Sequence, residues 1–349
     1  MGVGGAVGAF GPGAVVSPRR VLLTGGSSLL VRRAAESLDR QGDQVVLLQR
    51  RRVDADLEQV LGDVRDRAVV ERALNGCDAV IHAAAKVGVT GRWEEYRSVN
   101  IDGTAVVLDA ARRAGIGSIV HVSTPSVAHS GASIVGAGAE QPFTGRPVAG
   151  RVGSFYAESK ARAEQLALAA CDDDTAVVAI RPHLVWGPGD TQLVGRIVER
   201  ARSGRLALVG GGTALVDTTY VDNAASALVA ALDAVRPHAR CSGRAYVIAN
   251  GEPRPVRELV EAILRAAGLD ARPRRVPLRL AALAGSVTER VWSFRGTDTE
   301  PPLTRFLAEQ LGTAHWFDPR PARDDLGWAP SVTLDEGFAA LGDWFANRR

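Results

Sequence analysis

Tyr156 and Lys160 stand four residues apart in the run YAESK. On a helix this spacing puts both side chains on one face. An ammonium beside a phenol favours the phenolate and lowers a pKa that is otherwise about 10. A tyrosine so placed gives a proton to a carbonyl oxygen, or takes one from an alcohol, near neutral pH. Upstream, an apolar run ends in Ser123-Thr124-Pro125-Ser126. Thr124 is expected to hydrogen-bond the oxygen of a carbonyl substrate, with Ser123 or Ser126 as alternatives.

These groups need elements to hold them in register, and the first half of the chain supplies an alternation of strand and helix. Short apolar runs at Arg20–Thr24, Gln44–Gln49, Asp78–His82, Ser118–Ser123 and Ala176–Ile180 read as strands, with Glu58–Leu61 as a further one. Ser28–Gln41, Asp66–Leu74, Trp93–Ala114 and Gly153–Ala170 read as helices between them. Near-continuous apolar strands separated by helices predict a parallel sheet covered on both faces, hence a doubly wound α/β fold of Rossmann type. Ligands of such sheets sit beyond the carboxyl ends of the strands, where the hydroxyl cluster and Tyr156 are expected.

The turn Thr24-Gly25-Gly26-Ser27-Ser28-Leu29 joins the first strand to the first helix. A glycine turn there lets backbone N–H groups meet a pyrophosphate at a helix N-terminus, which points to a dinucleotide. Measured against the T-G-x-x-G-x-x-G form of this turn, only the first glycine, Gly25, is kept. Ser28 and Val31 replace the other two. The Ser28 hydroxyl can keep the phosphate contact, whereas Val31 is expected to weaken cofactor binding. At the end of the second strand, Gln49 is followed by Arg50-Arg51-Arg52, so there is no carboxylate to accept a ribose 2′-hydroxyl. Guanidinium groups there favour NADP(H) over NAD(H). Asp63, after the third strand, accepts from the adenine amino group or caps the next segment. The expected cofactor contacts are Thr24, Gly25, Ser28, Leu29, Arg50, Asp63, Val64, Ala83, Ala84, Pro182 and Val185, with Lys160 on the nicotinamide ribose.

Composition narrows the alternatives. The chain has 349 residues, 42 Lys plus Arg against 39 Asp plus Glu, and a net charge of +3, too small an excess to argue for nucleic acid. Three scattered cysteines and six scattered histidines show neither a disulfide framework nor metal-ligand spacing. No apolar run is long enough for a membrane span. A cytoplasmic location follows as the expectation. Residues 1–18, rich in Gly and Ala, are expected to be a flexible extension, 19–185 a dinucleotide-binding domain, and 186–349 mainly a substrate lobe interleaved with the sheet. That lobe is expected to carry helices at Asn223–Ala234, Val256–Ala267, Leu303–Leu311 and Leu334–Phe345 and a short strand at Ala245–Ala249.

Taken together, the TGG turn, His82-Ala83-Ala84-Ala85, Asn100, STPSV, YAESK, RPHLVWGPGD and Thr219-Tyr220-Val221-Asp222-Asn223 resemble the extended short-chain dehydrogenase/reductase family. The closing Phe317-Asp318 and Ala322–Pro330 fit the same pattern, and the resemblance runs from about Arg19 to Phe345. Within that family the chain is most similar to the 3β-hydroxysteroid dehydrogenase-like branch, in particular to bacterial ketone reductases of long-chain olefin synthesis. The resemblance implies reduction of a 2-alkyl-3-oxoalkanoate to the 3-hydroxy acid with NADPH. A β-keto acid carries a carboxylate, for which Lys86, Arg92 and His183 are the basic candidates, with Ser126 as a polar contact. The partner implied is a lipid-like small molecule. A homodimer, or a complex with other enzymes of a hydrocarbon pathway, rests on the resemblance alone. Two other readings stay open: a hydroxysteroid dehydrogenase or NAD-dependent sugar epimerase on the same scaffold, and a dinucleotide sensor without catalysis.

Overall fold

The computed structural model describes residues 18–88, 91–128, 133–138, 154–295 and 312–348. The first half runs β1 (Arg20–Thr24), α1 (Leu29–Arg40), β2 (Gln44–Gln49), β3 (Glu58–Leu61), α2 (Arg67–Ala73), β4 (Ala79–His82), α3 (Trp93–Tyr96), α4 (Gly103–Arg113), β5 (Ser118–Val122), β6 (Ile134–Ala137), α5 (Ser154–Ala169) and β7 (Ala176–Pro182). Then follow β8 (Val185–Trp186), α6 (Val194–Arg202), β9 (Ala207–Val209), β10 (Leu215–Val216), β11 (Thr219–Tyr220), α7 (Val221–Ala234), β12 (Ala245–Ile248), β13 (Arg254–Pro255), α8 (Val256–Ala266), β14 (Arg274–Val276), α9 (Leu278–Arg295) and β15 (His315–Phe317). Helices Arg320–Leu326 and Leu334–Ala346 close the described chain.

Seven of the strands form one parallel sheet in the order β12-β7-β5-β4-β1-β2-β3. The chain winds outward from β1 in one direction and then from β4 in the other. The reversal between β1 and β4 opens a crevice at their carboxyl ends, which is where a doubly wound sheet binds its ligand. The inner strands are apolar on both faces because helices cover both. On one face, Val31, Ala34, Ala35 and Leu38 of α1 recur at helical spacing and pack with α7 residues such as Leu228 and Leu232. On the other, Val69 and Val70 of α2, Val107 and Leu108 of α4, and Ala167 of α5 meet Leu22, Val80, Ile119 and Val177.

Strand Ala245–Ile248, expected in the C-terminal half, extends this sheet by pairing with β7. Among the described residues, a second core gathers Trp186, Tyr220, Val260, Ile263, Leu334 and Leu341 between α6, α8 and the last helix. The helix expected over Trp93–Ala114 is present but interrupted by a π-helical stretch, Arg97–Asp102. The wide turn is held from inside by buried Asn100, whose amide accepts from the Lys86 N–H at 2.6 Å and donates to the Lys86 carbonyl at 3.1 Å. The expected helix Leu303–Leu311 and extension 1–17 lie outside the described residues.

Candidate active site

Parallel pairing of β5 with β7 matches Val122 to Ile180. One residue further along, the Ser123 N–H donates to the Ile180 carbonyl at 2.6 Å, and Thr124 follows it. Helix α5 lies over these strand ends and carries Tyr156 and Lys160 down one face. The Tyr156 hydroxyl hydrogen-bonds the Thr124 side chain, and the Thr124 and Ser126 hydroxyls lie 3.0 Å apart. Lys160, only 3% exposed, donates to the Val122 carbonyl at 2.6 Å. Thr124, Ser126, Tyr156 and Lys160 are thus brought together as their spacing predicts.

The electrostatics differ from the expectation in one respect. Tyr156 is not lowered: loss of water around the phenol pushes its pKa up to about 12, against a smaller opposite pull from the Thr124 hydrogen bond. Burial likewise pushes Lys160 down to about 8, while the Glu164 carboxylate, one turn along α5, holds it up. Desolvation penalises whichever form is charged, and it is the largest influence on both side chains. At neutral pH this tyrosine is a proton donor.

Beneath the pair lies a polar layer between the sheet and α4 and α5. Arg181, at the end of β7, donates from Nε to Glu164 at 2.9 Å and from Nη2 to its other oxygen at 2.5 Å; both side chains are buried. His82, at the end of β4, accepts the Thr24 hydroxyl proton at Nδ1, 2.8 Å away, and donates from Nε2 to Thr104 at 2.9 Å. That tautomer follows from the rest of the chain of bonds. Thr104 gives its own proton to the Asn100 carbonyl, and Thr24 Oγ1 already accepts from the Ala83 and Ala84 N–H groups at 3.1 and 3.0 Å. Burial and the nearby Lys160 push His82 down to about 3, so the ring stays neutral. Thr24 therefore ties the end of β1 to the end of β4 at the mouth of the crevice.

The glycine turn fits a dinucleotide. Gly25 has φ +85, and a Cβ there would come within 3.1 Å of the Ala84 backbone. At Gly26 a Cβ would land 1.8 Å from Gln49 Oε1, so the second strand's terminal side chain tucks under the turn. A cleft of about 500 Å³ runs from Gly25 past Gln49, Arg50, Asp63 and Val64 to Ala84 and Lys86. Gln49 Oε1, buried beside it, has no hydrogen-bond partner. Such an oxygen suits a ligand hydroxyl or amide. Ser28 is exposed at the N-cap of α1, with no side-chain cap bond. Val31 is 1% exposed and packs in the core with Ala34, Ala35 and the β1 side chains, so the third glycine's place is filled by packing between helix and sheet. Leu29 lies at the start of the same helix, partly buried against the second core.

Other expected contacts are already engaged. Arg65 binds both oxygens of Asp63, at 2.9 Å through Nε and 2.7 Å through Nη2, and holds its carboxyl below the usual range. Asp63 also accepts from the Arg65 backbone N–H, which is the capping alternative. Lys86 pairs with Glu95 at 2.8 Å, and Arg92 faces the same carboxylate at 3.7 Å. His183 is 5% exposed, donates from Nδ1 to the Asp217 carbonyl, and lies edge-on to Phe317 at 5.0 Å. His183 is therefore a buried, hydrogen-bonded histidine. Pro182 and Val185 flank it at the end of β7 and the start of β8. Arg65, Thr104, Glu164 and Asp217 escaped the sequence reading. Thr104, Glu164 and Asp217 are polar residues on ordinary-looking stretches whose distant partners come only with the fold, whereas Arg65 pairs with Asp63 two residues before it.

A model of the 3-beta hydroxysteroid dehydrogenase/isomerase family matches residues 31–280. The chain is 44% identical over 327 residues to the 2-alkyl-3-oxoalkanoate reductase of Stenotrophomonas maltophilia, covering 92% of this chain and 98% of that protein. A 4-hydroxy-2-methyl-3-oxo-4-farnesyl-3,4-dihydroquinoline-1-oxide ketoreductase of Stigmatella aurantiaca is 30% identical, over 92% of this chain and 95% of its own. Among solved structures, MoeE5 in complex with UDP-glucose and NAD superposes with a TM-score of 0.71 at 25% identity, covering 94% of this chain and 99% of that one.

Proposed function

Because the chain belongs to the 3-beta hydroxysteroid dehydrogenase/isomerase family and is an oxidoreductase acting between a carbonyl and an alcohol, we propose that it reduces a long-chain 2-alkyl-3-oxoalkanoate to the 2-alkyl-3-hydroxyalkanoate with NADPH, as a step in hydrocarbon biosynthesis. One observation carries the reading: the Tyr156 phenol, protonated at neutral pH, is bonded to the Thr124 hydroxyl beside buried Lys160 at the mouth of the crevice. The similarity to the Stenotrophomonas maltophilia reductase supports the choice of substrate.

When bound in this crevice, a nicotinamide would supply a hydride for C3 of the substrate. Tyr156 gives its Oη proton to the C3 oxygen as negative charge builds there. Thr124 steadies the same oxygen with its hydroxyl. Lys160, charged on the acid side of about 8, stabilises the tyrosinate that the transfer leaves behind. Thr24, Gly25, Ser28, Leu29, Val64, Ala83, Ala84, Pro182 and Val185 are the proposed walls of the cofactor crevice. Gln49 and Arg50, both lining the cleft, are the proposed contacts of the adenosine ribose and its 2′-phosphate.

The test is oxidation of a 2-alkyl-3-hydroxy acid by NADP⁺ or NAD⁺, run in reverse because β-keto acids lose carbon dioxide. The reading expects turnover with a clear preference for NADP⁺, which an Arg50→Ser variant loses by at least tenfold in kcat/KM. Turnover of a 3β-hydroxysteroid alone, or a preference for NAD⁺ unaffected by that variant, overturns the substrate or the cofactor assignment respectively.

A further inference from the structure

Leu184 is held where leucine is a poor choice. Its φ is +42 and it is 37% exposed. Left-handed backbone suits glycine or asparagine, and a side chain branched at Cγ pays for it in strain. The turn is pinned on both sides. The His183 N–H donates to the Ile248 carbonyl at 2.9 Å, the Thr219 hydroxyl lies 2.7 Å from the His183 carbonyl, and the Thr219 N–H reaches the Leu184 carbonyl at 3.4 Å. Strain of this kind persists only where surrounding bonds over-determine it, and it gathers at ligand sites.

Leu184 is also a wall of a separate cavity. About 110 Å³ of space lies between β8, α6 and α8, lined almost wholly by apolar side chains, among them Leu193, Ile197, Val260, Ile263 and Phe338. Its polar lining is confined to His183, His315 and Thr218. The His183 Nδ1–H is engaged with the Asp217 carbonyl, the His315 Nε2 faces Thr313 at 3.0 Å, and the Thr218 hydroxyl accepts from the Trp186 indole at 2.9 Å. These three polar atoms are turned to the protein and the rest of the lining is mostly apolar, so the space is suited to hydrocarbon. A water molecule occupies about 30 Å³, so the cavity takes a segment of a chain and not a whole one. Its wall includes His183 and Leu184, one and two residues beyond the end of β7, the strand that pairs with β5 just before Thr124.

We infer that the cavity behind Leu184 binds a segment of one alkyl chain of the substrate, and that Leu184 is the residue that selects a hydrocarbon there. This rests on the proposed reduction of an alkyl-branched oxo acid and names the part of the site that reads its tail. Leucine at a strained position costs stability, and an apolar contact with the ligand is what it supplies in return.

The variants Leu184→Asn and Val260→Phe separate this from a structural role. Asparagine accepts the left-handed backbone, so Leu184→Asn is expected to melt no lower than the parent protein. Its kcat/KM for a long-chain 2-alkyl-3-hydroxy acid, divided by that for a short-chain one, is expected to fall at least tenfold. Val260→Phe fills the cavity from the other side and is expected to lower the same ratio. Failure of all turnover would count against the proposed reaction and not the cavity, so binding is read separately by equilibrium dialysis of decanoate. Saturable binding to the parent chain, weakened at least tenfold in both variants, supports the inference. Absent binding, or equal binding in all three proteins, overturns it.

Discussion

Replacing Glu164 with glutamine removes one charge from an ion pair that water does not reach. Glu164 is 0% exposed and Arg181 2%, and they share two hydrogen bonds at 2.9 and 2.5 Å. Breaking a buried pair by neutralising one partner costs about 3–5 kcal/mol, because the other charge stays desolvated. Glutamine keeps one acceptor oxygen, which puts the expected loss at about 3 kcal/mol. The second effect falls on Lys160. Burial already holds it at about 8, down from 10.5, with Glu164 opposing the fall. Without that carboxylate its pKa drops further, and the ammonium is lost closer to neutral pH. The sign follows from linkage: a lysine lowered by folding binds fewer protons in the native state, so stability rises with pH between about 8 and 10.5 in the parent protein. In Glu164→Gln the lower edge of that window moves down. Urea unfolding at pH 7 measures the first effect, and the pH dependence of kcat/KM for oxo-acid reduction measures the second. The alkaline limb of that profile is expected to shift to lower pH. A loss under about 1 kcal/mol with an unmoved pH profile would refute the reasoning.

Two further outcomes follow from single residues. Gly25→Ala forces a Cβ to within 3.1 Å of the Ala84 backbone at φ +85. It is expected to cost about 1–2 kcal/mol and to weaken NADPH binding at least tenfold, read by melting and by fluorescence titration. Asp217 is 1% exposed, and burial pushes its pKa from 3.8 up to about 7, despite two backbone N–H donors. A carboxyl raised by folding holds its proton longer in the native state, so stability is lost as pH rises from about 4 to about 7. Between pH 5 and pH 8 this group removes about 3 kcal/mol, and Asp217→Asn is expected to flatten that part of the urea-unfolding profile. An equally steep profile in the variant would assign the pH dependence to other groups.

Much of this was legible in the residues. The apolar runs gave the strands of the parallel sheet because burial on both faces leaves them no polar positions. Spacing alone placed Tyr156 and Lys160 on one face, and the glycine turn marked the crevice. The remainder depended on contacts between distant segments. Strand Ala245–Ile248 joins β7 across more than sixty residues, and nothing in AYVI names its neighbour. The lowered phenol expected from Lys160 did not account for how far burial raises Tyr156, because desolvation belongs to the packed protein and not to the motif. Lys86 looked free to meet a carboxylate until the fold brought Glu95 to 2.8 Å. Val31 looked like damage to the turn, yet it fills the interface that a glycine would leave open.

The most direct measurement is NADPH consumption with a long-chain 2-alkyl-3-oxo acid by the parent protein and by Tyr156→Phe. The variant removes one hydroxyl and keeps the ring. The account predicts that turnover falls by about 10²–10⁴-fold while NADPH affinity stays within threefold. Turnover within threefold of the parent protein would contradict it.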